Sequence, residues 1–225
     1  MTAKIKAEKV TRTGSGDDIN LRSVLSGEIG VADYFFIQAL KGNMYYIGSV
    51  DVTTPTTWTA TGTVDVTKAI LHVDVPSNKA LIPVHLELYM EAFGTSAQFE
   101  VSAATGKGGS RTSGMTAITP INLRSDLSDN SGVTAWAGDN TAVTVGITTN
   151  KNTFWRDGKQ FAITKTAESA TVSSFDPVKF AWDAVLTNTF PIVAPDGELQ
   201  VYQGSQAGTG FIKLIACIID ASELP

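Results

Sequence analysis

Between residues 82 and 93 the chain alternates without a break: Ile82, Val84, Leu86, Leu88, Met90 and Ala92 stand against Pro83, His85, Glu87, Tyr89, Glu91 and Phe93. In an extended strand a period of two puts each set on its own face. One face is then wholly aliphatic, while the other carries carboxylates, an imidazole and aromatic rings. This predicts a long strand with one side in a core and the other at an interface or in water. Just upstream, Leu71, Val73 and Val75 alternate with His72 and Asp74, and Pro76-Ser77-Asn78-Lys79 offers a turn. The two runs read as a hairpin of sandwich-type strands.

Other segments repeat the theme. Phe99, Val101 and Ala103 alternate with polar neighbours, as do Val143, Val145 and Ile147, and then Val178, Phe180, Trp182, Ala184 and Leu186. Asp157-Gly158 within residues 154 to 161 reads as the turn of a second hairpin. Pro195-Asp196-Gly197 leads into a strand from Leu199, and residues 211 to 220 are apolar on both faces, as expected of a central strand covered on each side. Residues 32 to 52 are rich in rings, and Lys41-Gly42-Asn43 can turn one strand into the next. Tyr34, Phe35, Phe36, Tyr45 and Tyr46 have aliphatic neighbours, which assigns them to packing. Trp58, in a threonine-rich connection, plugs the sandwich if buried and anchors an interface if exposed. The only helical candidate is a short stripe near residues 31 to 40.

Composition narrows the functional classes. Of 225 residues, 43% are hydrophobic and only 17% charged, against roughly 25% charged in an average soluble domain. A neutral surface of that kind suits a subunit whose outside touches other subunits. The net charge of −5 argues against a general nucleic-acid binder, which needs clustered Lys and Arg. The start lacks an apolar signal region and no 18-residue uncharged apolar run exists, so synthesis in the cytoplasm without membrane insertion is expected. Cys217, the one cysteine, lies in an apolar run and reads as a small buried hydrophobe.

Motifs of chemistry are weak throughout. The loop TGKGGSRTSG at 105 to 114 looks like a phosphate cradle but lacks the Gly-x-x-x-x-Gly-Lys-Ser/Thr spacing, and reads as a mobile surface loop. Asp126, Asp129 and Asp139 form an acidic cluster that fails the calcium-loop pattern at Ser131 and Ala137. The two histidines, His72 and His85, would face each other across the hairpin, with Asp74, Glu87 and Glu91 nearest, yet no glycine-flanked His-x-His pair supports a metal site. No nucleophile elbow or triad spacing is present. The reading is a non-enzyme with no catalytic, cofactor or metal residues.

INLRS occurs at 19 to 23 and again at 121 to 125, without any repeat of the surrounding strand pattern. Residues 1 to 30 read as an arm and residues 31 to 225 as one β-domain. The arm carries Lys4, Lys6, Lys9 and Arg12 ahead of the joint Gly14-Ser15-Gly16-Asp17-Asp18, and these four basic residues are the candidate contacts with a neighbouring subunit.

The run from 69 to 97, with Leu81-Ile82-Pro83-Val84 entering a long strand that ends in Glu91-Ala92-Phe93-Gly94-Thr95, resembles single jelly-roll structural proteins of tailed bacteriophages. Thr119-Pro120-Ile121-Asn122-Leu123-Arg124 and Phe190-Pro191-Ile192-Val193 resemble the same group. The resemblance implies an all-β, antiparallel β-sandwich of jelly-roll type with an extended N-terminal arm. It also implies a capsid decoration or cement protein of the virion that binds between major capsid protein subunits as a homotrimer or homodimer, without nucleic acid or membrane. The alternative is a receptor- or glycan-binding module of a phage tail fibre or spike, with Trp58, Trp136 or Trp155 stacking on sugars. A metal-dependent, cupin-like enzyme using His72 and His85 is a third reading.

Overall fold

The computed structural model describes residues 34–49, 53, 55–93, 98–138, 144–160, 178–205 and 207–224. The basic residues Lys4, Lys6, Lys9 and Arg12, the first INLRS copy and Asp139 lie outside the described residues. In chain order the elements are α1 (Tyr34–Lys41), β1 (Met44–Gly48), β2 (Thr56–Trp58), β3 (Ala69–Asp74), β4 (Lys79–Phe93), β5 (Gln98–Lys107), β6 (Ser110–Arg111) and β7 (Thr116–Ile118). They continue with β8 (Ile121–Asn122), β9 (Thr134–Ala137), β10 (Thr144–Val145), β11 (Thr149–Gln160), β12 (Val178–Asp183), α2 (Ala184–Thr187), β13 (Glu198–Ser205) and β14 (Gly208–Asp220). Among the described residues no helix is long and apolar enough to cross a membrane.

Twelve of the fourteen described strands form two six-stranded antiparallel sheets, as the alternating pattern predicts, and β6 pairs with β10 in a separate two-stranded ribbon. Sheet I runs β12-β4-β14-β1-β8, with β2 also on β14, and sheet II runs β11-β5-β13-β3-β9-β7. Inner faces meet in one core. Leu86, Leu88, Met90, Phe180, Ile212 and Leu214 of sheet I pack with Leu71, Val73, Phe99, Val101, Leu199 and Val201 of sheet II. Trp58 is wholly buried among them. β14 is the central strand expected from its two apolar faces: Leu214, Ala216 and Ile218 point into the core, while Cys217 and Ile219 sit under α1 on the other side.

Three local expectations are corrected. β3 and β4 do not form a hairpin, because β3 pairs with β13 and β9 in sheet II while β4 pairs with β12 and β14 in sheet I. Residues 76 to 78 arch from one sheet to the other, with the Lys79 amide donating to the Pro76 carbonyl at 3.1 Å. Facing across a core satisfies an alternating pattern as fully as pairing does, so the pattern alone does not choose between them. The aliphatic face of β4 is also not continuous. Its register against β14 slips between Pro83 and His85, and this bulge puts Leu81 in the core while Ile82 joins the cluster beneath α1. Finally, Asp157-Gly158 makes no turn: β11 passes straight through it, with Gly158 opposite Glu100 of β5. β5 pairs without interruption from Trp155 to Gln160, through the Asp-Gly step, and a three-residue hairpin arm cannot match that ladder.

The helical stripe near 31 to 40 is realised as α1, in place of a strand leading into Lys41-Gly42-Asn43. Gly42 ends the helix at φ +81°, the left-handed conformation in which glycine carries no Cβ penalty. At the far side, Asp183 caps α2 by accepting from the Val185 and Leu186 amides at 2.9 and 3.0 Å. Residues 184 to 187 therefore turn helical, where alternation predicted that the strand continues.

Candidate functional sites

Three places on the molecule gather chemistry or contact surface, and each lies on the outside of a sheet. The first is apolar. α1 lies over sheet I with Phe35 and Ala39 packed on Met44, Ala80, Ile82, Cys217 and Ile219. Phe35 stacks on Phe190 with ring centroids 6.0 Å apart. Between them a cleft of about 350 Å³ is lined by Tyr34, Phe35, Ile82, Val185, Phe190 and Ile192. Of its lining, Tyr34, Val185, Phe190 and Ile192 are exposed, as are Phe36 on α1 and, at 88%, Leu186 on α2. Of the five rings assigned to packing, Tyr45 is buried and Phe35 packs against the cluster, whereas Tyr34 and Phe36 face outward.

The second is polar and lies on the outer face of sheet II. His72 and Asp74 alternate onto that face of β3, and Glu198, Gln200 and Tyr202 do the same on β13. Cross-strand register places His72 beside Gln200 and Trp136, and Asp74 beside Glu198. His72 Nε2 lies 2.6 Å from Asp74 Oδ1 and 3.8 Å from Glu198 Oε2. Glu198 accepts hydrogen bonds from the Gly109 amide and from Gln200 Nε2 (3.1 Å), and Gln200 in turn accepts from the Tyr202 hydroxyl. Gln200 also donates to the Val145 carbonyl at 3.0 Å. His72 and Gln200 are wholly buried and Glu198 nearly so. Burial raises the Glu198 carboxyl above its usual range, and the neighbouring Asp74 charge adds to the shift, against the opposing Gly109 hydrogen bond and His72.

The glycine-rich segment that read as a free loop closes over this site. β5 extends to Lys107, and the backbone at Gly109 approaches so closely that a Cβ there would meet the Glu198 carboxylate and the Gln200 amide. Arg111 follows, its guanidinium 5.2 Å from the centroid of the Trp136 ring, which lies 5.6 Å from the His72 ring. This cluster went unseen in the sequence because Glu198 reaches it only through the β3–β13 register. The one usable signal was a pair of adjacent glycines ahead of Arg111.

The third site surrounds the other histidine on the outer face of sheet I. His85 contacts Glu87 at 3.2 Å and Asp183 at 3.4 Å, and Glu87 pairs with Lys179 at 2.8 Å. Burial would raise Glu87, but hydrogen bonds from Lys179 and His85, with the charges of Lys179 and Lys213, hold it below the usual carboxylate range. The expectation that His72 and His85 face each other is thus corrected: they belong to different sheets, on opposite outer faces, because the connection between β3 and β4 crosses the core.

The remaining candidates are dispersed. Asp126 pairs with Arg124 at 2.8 Å, and Asp129 accepts from the Asn122 amide at the same distance, so both carboxylates hold the 122–129 turn. Trp58 and Trp155 are buried and Trp136 is half-buried beneath Arg111. Comparison with protein-family models, curated proteins and solved structures finds no match to this chain.

Proposed function

We propose that the chain is a virion structural protein of jelly-roll type, a capsid decoration or cement subunit that binds between major capsid subunits and stabilises the shell. The jelly-roll reading draws on strand order. β1, β14, β4 and β12 lie side by side in one sheet, β3, β13, β5 and β11 in the other, and the chain changes sheet at β3-β4-β5 and at β11-β12-β13-β14, the pattern of two interleaved Greek keys.

The observation that carries the function is the apolar face beside α1. Burying a Leu or Phe side chain contributes about 1.5–3 kcal/mol, and Leu186, Phe190, Ile192, Phe36 and Tyr34 forgo much of that within the chain. Such a patch is a contact surface for other subunits. Attachment to a lattice multiplies modest contacts into firm binding, and self-association into a homotrimer or homodimer draws on the same surface. In this reading the subunit is made in the host cytoplasm, resides on the capsid surface, and has no nucleic-acid or membrane partner. The basic arm, through Lys4, Lys6, Lys9 and Arg12, adds contacts to the shell.

The test is the presence of the protein in purified particles at a fixed copy ratio to the shell protein. Deletion of residues 1–18 is expected to leave folding intact and to lower capsid binding. Absence from particles refutes the function, and unchanged binding of the deletion variant refutes the role of the arm.

A further inference from the structure

We propose that His72, Asp74 and Glu198 form a binding site for a divalent transition-metal ion of the zinc class. The three side chains offer one imidazole nitrogen and two carboxylate oxygens, all within 4.8 Å of one another. A tetrahedral ion with ligands at about 2.1 Å needs them about 3.4 Å apart. His72 Nε2 and Glu198 Oε2, at 3.8 Å, are already close to that spacing. The 2.6 Å contact between His72 and Asp74 has to open by less than about 1 Å to admit an ion, and Asp74, whose side chain is 45% exposed, is free to move.

Charge argues in the same direction. Asp74 and Glu198 stand directly opposite each other across the β3–β13 ladder, where like charges destabilise a sheet. Among the described residues, the ion pairs of these two carboxylates are with His72 alone, and neither Lys nor Arg reaches them. A bound cation supplies the missing charge. An imidazole ligand selects zinc-like ions over magnesium and calcium, which prefer all-oxygen shells.

The surroundings are built as a supporting shell. Glu198 is held by the Gly109 amide and Gln200, Gln200 is held by Tyr202, and Trp136 packs beside the imidazole. Hydrogen bonds to a ligating carboxylate fix its orientation. The other ring nitrogen of His72, Nδ1, is buried without a hydrogen-bond partner, so the ring's polar contacts all lie on the side of the carboxylates. A missing partner of that kind weakens a metal site about 10–100-fold relative to one whose imidazole is held on both nitrogens. Asp74 lies at the solvent side, so water completes the coordination.

The experiment uses the full chain, stripped with a chelator and dialysed against micromolar Zn²⁺. One ion per chain is expected, with a rise in thermal midpoint that Mg²⁺ does not produce. Asp74→Asn and Glu198→Gln are each expected to weaken Zn²⁺ binding by at least about tenfold. Asp74→Asn keeps an oxygen to accept from His72 and removes one of two opposed charges at a half-exposed position, so its midpoint in chelator is expected to match the wild type or exceed it. The chain has only two histidines, so His85→Gln leaves a single imidazole. Co²⁺ is expected to shift and broaden that remaining imidazole's proton resonances, which assigns the ligand without altering the site. Absence of stoichiometric Zn²⁺ in the wild type overturns the proposal, as does wild-type affinity in both carboxylate variants or loss of binding in His85→Gln.

Discussion

Cys217 shows how far a single residue can be read before any coordinates. Its neighbours in residues 211 to 220 are apolar, and a thiol in such a run behaves as a small hydrophobe. It is wholly buried, and burial, aided by the Glu223 charge, pushes its thiol up to about 12. At pH 8 the thiolate is therefore scarce as well as shielded. The folded protein is expected to resist a thiol reagent at that pH and to react within minutes in urea; rapid labelling of the native state would contradict the burial. Glu198 is the opposite case. Nothing beside it in the chain marks it, because its neighbours Asp74 and His72 come from a strand far earlier and Gly109 from another loop. Residues whose setting is local were legible, and residues whose setting is a cross-strand register were not.

Among elements, strands with one clean face were read correctly and their partners were not. β5 and β14 stand where alternation or a doubly apolar run puts them, but the turn after β3 predicts a β3–β4 pair that neither sheet contains. Period two reports which way side chains point and is silent about which strand lies alongside. The change from β12 to α2 was hidden for a different reason: the apolar alternation continues through Ala184 and Leu186, while the Asp183 carboxylate binds the Val185 and Leu186 amides and bends the backbone into a helix. Replacing Asp183 by Ala is expected to cost about 1 kcal/mol, read as a lower urea midpoint. The Asp183 carboxyl lies below its usual value, first through the hydrogen bond from the Leu186 amide and then through Val185 and His85. An acid depressed in this way stabilises the fold fully above the ordinary carboxylate value of about 4, and that contribution is lost as pH falls through the lower folded-state value. The difference between wild type and Asp183→Ala should therefore be present at pH 5, roughly one unit above that value, and shrink in stronger acid. A difference that persists unchanged in acid would remove the cap from the account.

At the scale of the whole molecule, the two-layer antiparallel body was legible from the sequence, because many short alternating runs have few other ways to bury their apolar sides. The apolar face beside α1 was not, since it combines the bulge in β4, a helix and the 190–192 segment. Leu186 tests that face directly. Being almost fully exposed, it contributes little to the fold, so Leu186→Asp is expected to change stability by no more than about 0.5 kcal/mol while loosening self-association in sedimentation velocity. Unaltered sedimentation of a self-associating protein would move the contact surface elsewhere. The position of β14 has a further consequence. It lies between β4 and β1, which are synthesised long before it, so during translation both wait with open edges until residues 208–220 leave the ribosome. The nascent chain must be shielded through that interval, and a transcript cut short would release a product primed to aggregate.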